Sequence, residues 1–283
     1  MLSDHTISIL IFAGIDVIMA LSFYLPASAG QLSAGQGGFM ALGAYTAAYL
    51  TVHHGAPFPL ALAAGGSSAG WSASRWAFRR CACAGSISCS SPSASARSFA
   101  SSFSTRRPSA GRLDSPAFPA TTIWHVLGLL AVLVYFFTRL SGSRMGRAFA
   151  ALRDDEAAAE AMGVNSTYVK LAAFAAGGVI AGLGGALYAH YTLFIDPEAF
   201  GVGRSLFVML YAVFGGLASF WGAIVGATIL SILPELLRWV KDWREIFYGL
   251  LVLTLMLVRP QGLLDATLLA RLSLRGERAP ARG

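Results

Sequence analysis

With 283 residues, 55% of them hydrophobic and only 12% charged, at a mean hydropathy of +0.61, the chain is too apolar for a soluble globular protein and reads as a multi-pass helical membrane protein. A formal net charge of +7 does not make it a nucleic-acid binder, because the excess is local: residues 66–120 carry seven arginines (Arg75, Arg79, Arg80, Arg97, Arg106, Arg107, Arg112) against one acid, Asp114. The three cysteines, Cys81, Cys83 and Cys89, fall in the same window without a histidine, which supports neither a disulfide framework nor a zinc site, so no metal and no cofactor is expected.

The first apolar run, residues 7–25, is interrupted by Asp16. No basic leader precedes it and a second apolar stretch follows, so a first transmembrane segment is expected rather than a cleaved signal, ending near Pro26, which lacks the helical N–H. A carboxylate in mid-span belongs against a bundle interior or a water-filled path, and for Asp16 a bond to a neighbouring helix and contact with cargo both stand. Residues 30–45 mix small residues with Gln31 and Gln36 before a second span reaching about Val52. Here Gln31, Ser33, Gly35, Gly38 and Gly43 serve either close helix packing or a path whose backbone faces a solute. Residues 58–65 look like the start of a further span that is not completed.

From residue 66 to about 119 the chain changes character, with sixteen serines in the 55 residues 66–120 and little sustained apolar periodicity. Two readings stand: a basic, serine-rich natural loop, or translation out of frame. The stretch from Cys81 to Ser88 can be encoded by bases that, read one position earlier, give Leu-Arg-Leu-Arg-Gly-Leu-Tyr-Phe, a normal approach to a membrane helix.

Residues 123–138 are nearly all apolar and are followed by Arg139, Arg144, Arg147 and Arg153 with no acid before Asp154, which places this end in the cytoplasm. The polar island 146–163 is therefore cytoplasmic. Asp154, Asp155 and Glu156 favour a helix start and Gly163 a stop, so a short helix is expected from about Asp154 to Met162, serving as a partner interface or as a plain tether. Residues 170–190 leave the cytoplasm, with Gly177, Gly178, Ala181, Gly182, Gly184 and Gly185 forming small faces at helical spacing. His190 closes that span without metal-spaced neighbours, and Asp196-Pro197-Glu198 marks an external loop. Residues 205–235 are too long for one span and break around Gly215, Gly216 and Gly222, so two short or tilted segments with an inward turn are expected. An external loop with Arg238, Lys241, Asp242, Arg244 and Glu245 follows, then a return over residues 246–258 and a cytoplasmic tail, 266–283. There is no Gly-Lys-Ser/Thr phosphate loop, no HExxH, no Gly-x-Ser-x-Gly and no CxxC, so the chain is not expected to be an enzyme.

Several separated motifs, in one order, carry a family resemblance. They are Ala29-Gly30-Gln31-Leu32-Ser33 with Gly35 and Gly43-Ala44-Tyr45; Gly146-Arg147-Ala148 through Arg153-Asp154-Asp155-Glu156 and Glu160-Ala161-Met162-Gly163; Ala181-Gly182-Leu183 with Gly184-Gly185-Ala186; Gly215-Gly216 with Trp221-Gly222; Pro234-Glu235; and Arg259-Pro260-Gln261-Gly262-Leu263. Over residues 5–65 and 120–265 the chain resembles the LivM-type permease subunit of branched-chain amino acid ABC transporters.

The resemblance implies an all-α polytopic permease bundle over residues 1–265 in the inner (plasma) membrane. It implies as partners two cytoplasmic ATP-binding subunits, a second permease subunit and a periplasmic amino-acid-binding protein, with branched-chain or related amino acids as cargo. Within a cytoplasmic coupling region, 139–168, Arg147, Arg153, Asp154, Asp155, Glu156, Glu160 and Gly163 are expected at the ATPase contact. Asp16, Gln31, Ser33, Gly35, Gly38, Gly43, Gly182, Gly185, Gly215 and Gly216 are expected in the translocation path or in helix packing. Gly163 lies one residue further from Glu156 than the general importer pattern places it. The larger departure is residues 66–120, where the family has membrane helices and an external Gly-Gly-Pro loop. The bases for Arg107 to Pro116, read one position earlier, can give Ala-Val-Gly-Gly-Pro-Ala-Gly-Phe-Pro. Two stretches recovered by one shift favour paired frame errors over a natural insert. The rival readings are a defective permease or nontransporting scaffold, and a secondary carrier.

Overall fold

The computed structural model describes residues 4–33, 35–83, 122–192, 195–217, 219–236 and 249. Among them the regular structure is helical throughout: α1 (Asp4–Ser28), α2 (Gln36–His54), α3 (Phe58–Cys83), α4 (Ile123–Ser141), α5 (Arg144–Asp154), α6 (Glu156–Ala161), α7 (Ser166–Thr192), a 3-10 turn (Pro197–Phe200), α8 (Val202–Gly215) and α9 (Phe220–Leu236). The chain is an all-α polytopic membrane protein. Among the described residues His5–Ser28, Ile123–Ser141 and Ser166–Thr192 are long and apolar enough to cross a bilayer, and α8 with α9 form a pair bent by 119° at the glycine break.

The bundle is organised around α7. Its glycines and alanines let α1, α2 and α3 lie directly against its backbone: a Cβ on Gly182 would come within 2.6 Å of the Gly65 carbonyl oxygen, and one on Gly178 within 2.5 Å of Ala73 Cβ. The interior beside it is filled by Ile15, Ile18, Met19, Leu21 and Phe23 of α1, all fully buried. By contrast α4 leaves Trp124, Val132 and Tyr135 exposed along one side. The C-terminal end of α1 lies beside α5, since Gly30 just beyond it packs on Leu152 and Arg153.

Two sequence expectations are corrected. The helix begun at residue 58 does not stop at Gly65 but runs to Cys83, because its serines satisfy themselves inside it: Ser68, Ser72 and Ser74 hydroxyls donate to the carbonyls three residues back. Gly66 and Gly70 then pack on Leu183 and Val179 of α7. Composition over 66–83 thus signals a small-faced helix, while residues 84–121, including Cys89, lie outside the described residues. α1 ends at Ser28, near Pro26 as expected, with the proline inside its last turn. A Cβ on Gly177 of α7 would sit 2.7 Å from the Ser22 carbonyl oxygen and 3.0 Å from Pro26 Cδ, so α7 seats against the notch that the proline leaves. The island holds two helices rather than one from Asp154 to Met162: α5 ends at Asp154, and Asp155, in extended conformation, starts α6. The inward turn expected at Gly215–Gly216 is present, with Gly216 at φ +101°. The external cluster from Arg238 to Glu245 and the tail 266–283 lie outside the described residues.

Candidate functional site

The pair of short helices α5 and α6 is built by local chemistry. Ser143 caps α5 by accepting the Gly146 N–H at 3.1 Å, and the turn out of α4 is so tight that a Cβ on Gly146 would lie 2.2 Å from the Leu140 carbonyl oxygen. Phe149 and Leu152 bury the inner face of α5. Asp155 caps α6 by accepting the Ala158 N–H at 3.1 Å. At the other end the Gly163 N–H reaches Glu160 O at 2.9 Å and the Val164 N–H reaches Ala159 O at 3.1 Å, a Schellman closure with Gly163 at φ +87°. The expected helix stop at Gly163 is therefore present, for the conformational reason proposed.

The charged residues nominated at the ATPase contact divide into two groups. Glu156 pairs with Lys170, and Glu160 accepts from the Ser166 hydroxyl, so both tie α6 to α7. Arg147 Nη1 donates to the Gly142 carbonyl at 3.3 Å, and Arg153 Nη1 donates to the Leu217 carbonyl at 2.6 Å, in the turn between α8 and α9. Asp154 and Asp155 stay exposed. Sequence reasoning missed the most prominent outward groups, Met162 at 85% exposure and Tyr168 at 63%. The only available signal was an apolar residue at the tip of an otherwise polar turn.

Behind this element a cavity of about 440 Å³ opens between Tyr24 and Ser28 of α1, Phe137 of α4, Gly146 and Arg153 of α5, and Phe220 of α9. Tyr24 stands edge-on to Phe137, which stacks on Phe220. Helix α5, the end of α1 and the broken pair thus share one joint packed with aromatic rings.

Deeper in the bundle the two interrupted segments meet. The Gly37 N–H, in the first turn of α2, donates to Ser205 Oγ at 2.9 Å, and a Cβ on Gly37 would lie 2.9 Å from the Phe200 carbonyl oxygen. Asp16, at the midpoint of α1, accepts from Arg204 Nη2 at 2.6 Å, with the Ser231 hydroxyl bonded to the same side chain. Ser33 is buried and accepts the Gly35 N–H at 3.3 Å, while Gln31 stays half-buried beside the end of α1, its N–H on the Pro26 carbonyl. For most of the glycines close packing is what the structure displays: a Cβ on Gly43 would be 2.2 Å from Gly182 O, one on Gly185 2.0 Å from Met40 O, and one on Gly215 1.9 Å from Gly222 O. Gly38 is half-buried in the first turn of α2, and Gly216 ends α8. His190 is fully buried, bonded to Thr51 at 3.1 Å and to the Ala186 carbonyl at 2.8 Å. Among the described residues no group of His, Cys, Asp or Glu is placed to hold a metal ion.

The family described as the permease component of branched-chain amino acid transport systems matches residues 85–258, more than half of the chain. The chain belongs to this family. Among curated proteins, the high-affinity branched-chain amino acid transport permease LivM of Salmonella typhimurium is 37% identical over 145 residues, covering 50% of this chain and 34% of that protein. LivH of Escherichia coli K12 is 32% identical over 145 residues, covering 50% and 46%. The autoinducer 2 import permease LsrC of Yersinia pseudotuberculosis is 30% identical over 138 residues, covering 45% and 39%. The chain spans between a third and a half of the length of the curated relatives that it matches. No solved structure matches it.

Proposed function

We propose that the chain is a membrane path subunit of an ATP-driven importer for branched-chain or related amino acids, seated in the inner (plasma) membrane. Two cytoplasmic ATP-binding subunits drive it, a second permease subunit completes the path, and a periplasmic binding protein delivers cargo. The permease domain covers residues 1–265 and the coupling region 139–168, with the tail 266–283 cytoplasmic. Beyond family membership, the observation that carries this reading is the Arg153 bond to the Leu217 carbonyl. It joins the helix facing the cytoplasm to the turn inside the broken α8–α9 pair, so movement imposed by an ATPase on α5 and α6 reaches the interior directly. The ATPase contact itself is assigned to Asp154, Asp155, Met162 and Tyr168. Arg153, Glu156, Glu160 and Gly163 hold that surface in place, and Arg147 shapes the elbow before it.

Arg153→Ala is the test. In vesicles holding the assembled transporter, it should keep ATPase association and lower transport per ATP hydrolysed by about tenfold, the scale of one charge-assisted hydrogen bond. Unchanged coupling would remove the link.

A second reading, a defective permease or scaffold, draws on residues 66–120. We expect the gene, read in the neighbouring frame across roughly residues 66–119, to encode apolar helices, and resequencing of the locus checks it. If both boundaries prove in frame and the shifted reading lacks an apolar run, the frame-error account is wrong and a natural segment, helical as far as Cys83, stands in its place.

A further inference from the structure

The cavity between α1, α4, α5 and α9 is graded from an apolar floor to a charged mouth. Leu25, Phe137, Phe149 and Phe220 line it from buried positions, whereas Ala150, Arg153 and Asp154 line it from exposed ones. Its volume of about 440 Å³ falls within the range of about 300–1,000 Å³ common to small-molecule sites. Water finds few polar partners against three phenyl rings, so the floor suits an apolar group, while the mouth suits a charged one.

The two charges at the mouth are of opposite sign and both keep capacity. Arg153 and Asp154 are consecutive in the last turn of α5, and both line the cavity. A guanidinium offers five N–H donors. Among the described residues Arg153 uses one of them, Nη1 on the Leu217 carbonyl, so it can take an anion without giving up that bond. The Asp154 side chain makes no hydrogen bond or ion pair among the described residues, with Arg153 or with any other. The last carbonyls of α5 add to the pull on a cation at this end of the helix. A fatty acid or an anionic lipid would satisfy Arg153 but set its own charge against Asp154, whereas a molecule carrying both charges satisfies both residues.

We propose that this cavity binds a free amino acid with an apolar side chain: its carboxylate on Arg153, its ammonium on Asp154 and its side chain against Phe137, Phe149 and Phe220. The mouth fixes the class and the floor favours aliphatic over polar side chains. The inference rests on the importer reading for one point, that this end of the bundle faces the cytoplasm, which makes the ligand the imported product rather than the arriving cargo. The walls come from four helices, and Arg153 also holds the turn of the broken pair. A bound molecule therefore ties α1, α4, α5 and α9 into one arrangement and, by its preference for that arrangement, opposes any step that parts them. Accumulated product thus slows its own import.

The test uses the full chain, without ATPase subunits, in lipid nanodiscs with photoleucine, a diazirine analogue of L-leucine, followed by mapping of the labelled peptides. Leaving out the ATPase separates this role of Asp154 from its proposed contact there. Label should fall on the segments carrying Phe137 and Phe149 and be displaced by L-leucine. Glycine should displace it about a hundredfold less well, the scale of losing an isobutyl group from an apolar floor. L-leucinamide, which lacks the carboxylate, and 4-methylpentanoate, which lacks the ammonium, should each be about tenfold poorer than leucine, the scale of one hydrogen bond to a charged group. Arg153→Gln should erase the advantage over leucinamide and Asp154→Asn the advantage over 4-methylpentanoate; both residues are exposed, so both variants should melt like the natural chain. Absence of label from these segments in the natural chain overturns the site. So does 4-methylpentanoate competing as well as leucine, which would make the cavity one for lipid-like anions. In vesicles holding the assembled transporter, leucine supplied on the ATPase side should slow uptake several-fold, and Ala150→Trp, which fills the mouth, should lift that inhibition relative to its own rate without leucine. No inhibition of the natural transporter, or undiminished inhibition of Ala150→Trp, overturns the feedback. Labelling requires neither ATPase nor transport, so its failure leaves the importer reading intact, whereas a chain that labels as expected but associates with no ATPase fails that reading and keeps the site.

Discussion

Leucine in place of Gly185 should leave no stably folded chain in the membrane. A Cβ there would lie 2.0 Å from the Met40 carbonyl oxygen, 2.8 Å from Met40 C and 3.1 Å from Ala44 N, all backbone atoms of α2 that no side-chain rotation can move aside. Overpacking in cores ordinarily costs about 1–3 kcal/mol when neighbours can adjust, and here the two helices must separate, so the loss should exceed the upper end of that range. Gly43 and Gly182 lie on the same face, which spreads the separation along the interface and into α3 through Gly65. Detergent-solubilised protein is followed by size-exclusion profile and thermal melting. Gly128→Leu on α4 is the control, because nothing lies within 4 Å of its Cβ and it should behave as the natural chain. If Gly185→Leu melts within a few degrees of that control, α2 and α7 do not touch as described.

The second large effect is expected at Met162. Its 85% exposure on a turn closed at Gly163 is why Met162 is the anchor of the proposed ATPase contact. Met162→Glu should weaken ATPase association by about a hundredfold, as truncation of a central interface anchor costs about 2–4 kcal/mol, while melting stays unchanged. The acids of this region are poorer probes: reversing Glu156 or Glu160 breaks the ties to Lys170 and Ser166 and disturbs the element before any partner arrives. Full ATPase binding by Met162→Glu would move the docking surface elsewhere.

The contrast between these residues shows what the sequence could convey. Sustained apolarity announced α1, α4 and α7, the glycine cluster at 215–222 announced the broken pair, and Gly163 announced the end of α6, because in each case the signal and its cause lie within a few residues. Where the cause is distant the reading failed or stopped short. Arg204 gains its meaning from Asp16, 188 positions away, and Arg153 from Leu217, 64 positions away. Glu156 and Glu160 look like solvent-facing charges until α7 is folded beside them. Whether Gly43 lined a path or packed a helix could not be decided until Gly182 stood opposite it. The serines of α3 misled for a different reason: their hydroxyls bond to carbonyls of their own helix, so polarity in composition is not polarity on its surface.

The short helix α6 is one of six residues, too brief to hold its own shape in water. It persists because Asp155 and Gly163 close its ends and because Lys170 and Ser166 clasp its side chains to α7. The Asn165 side chain adds a further lock by accepting the Tyr168 N–H at 3.0 Å at the root of that helix. Mechanically the pair is one lever. Its long arm is the 27-residue α7, about 40 Å of stiff rod, and its short arm is the tip carrying Met162. With the hinge at residues 163–165 braced from both sides, a nudge at the tip has little slack to dissipate in. It must turn the rod, and α1, α2 and α3 must follow because their backbones rest directly on it.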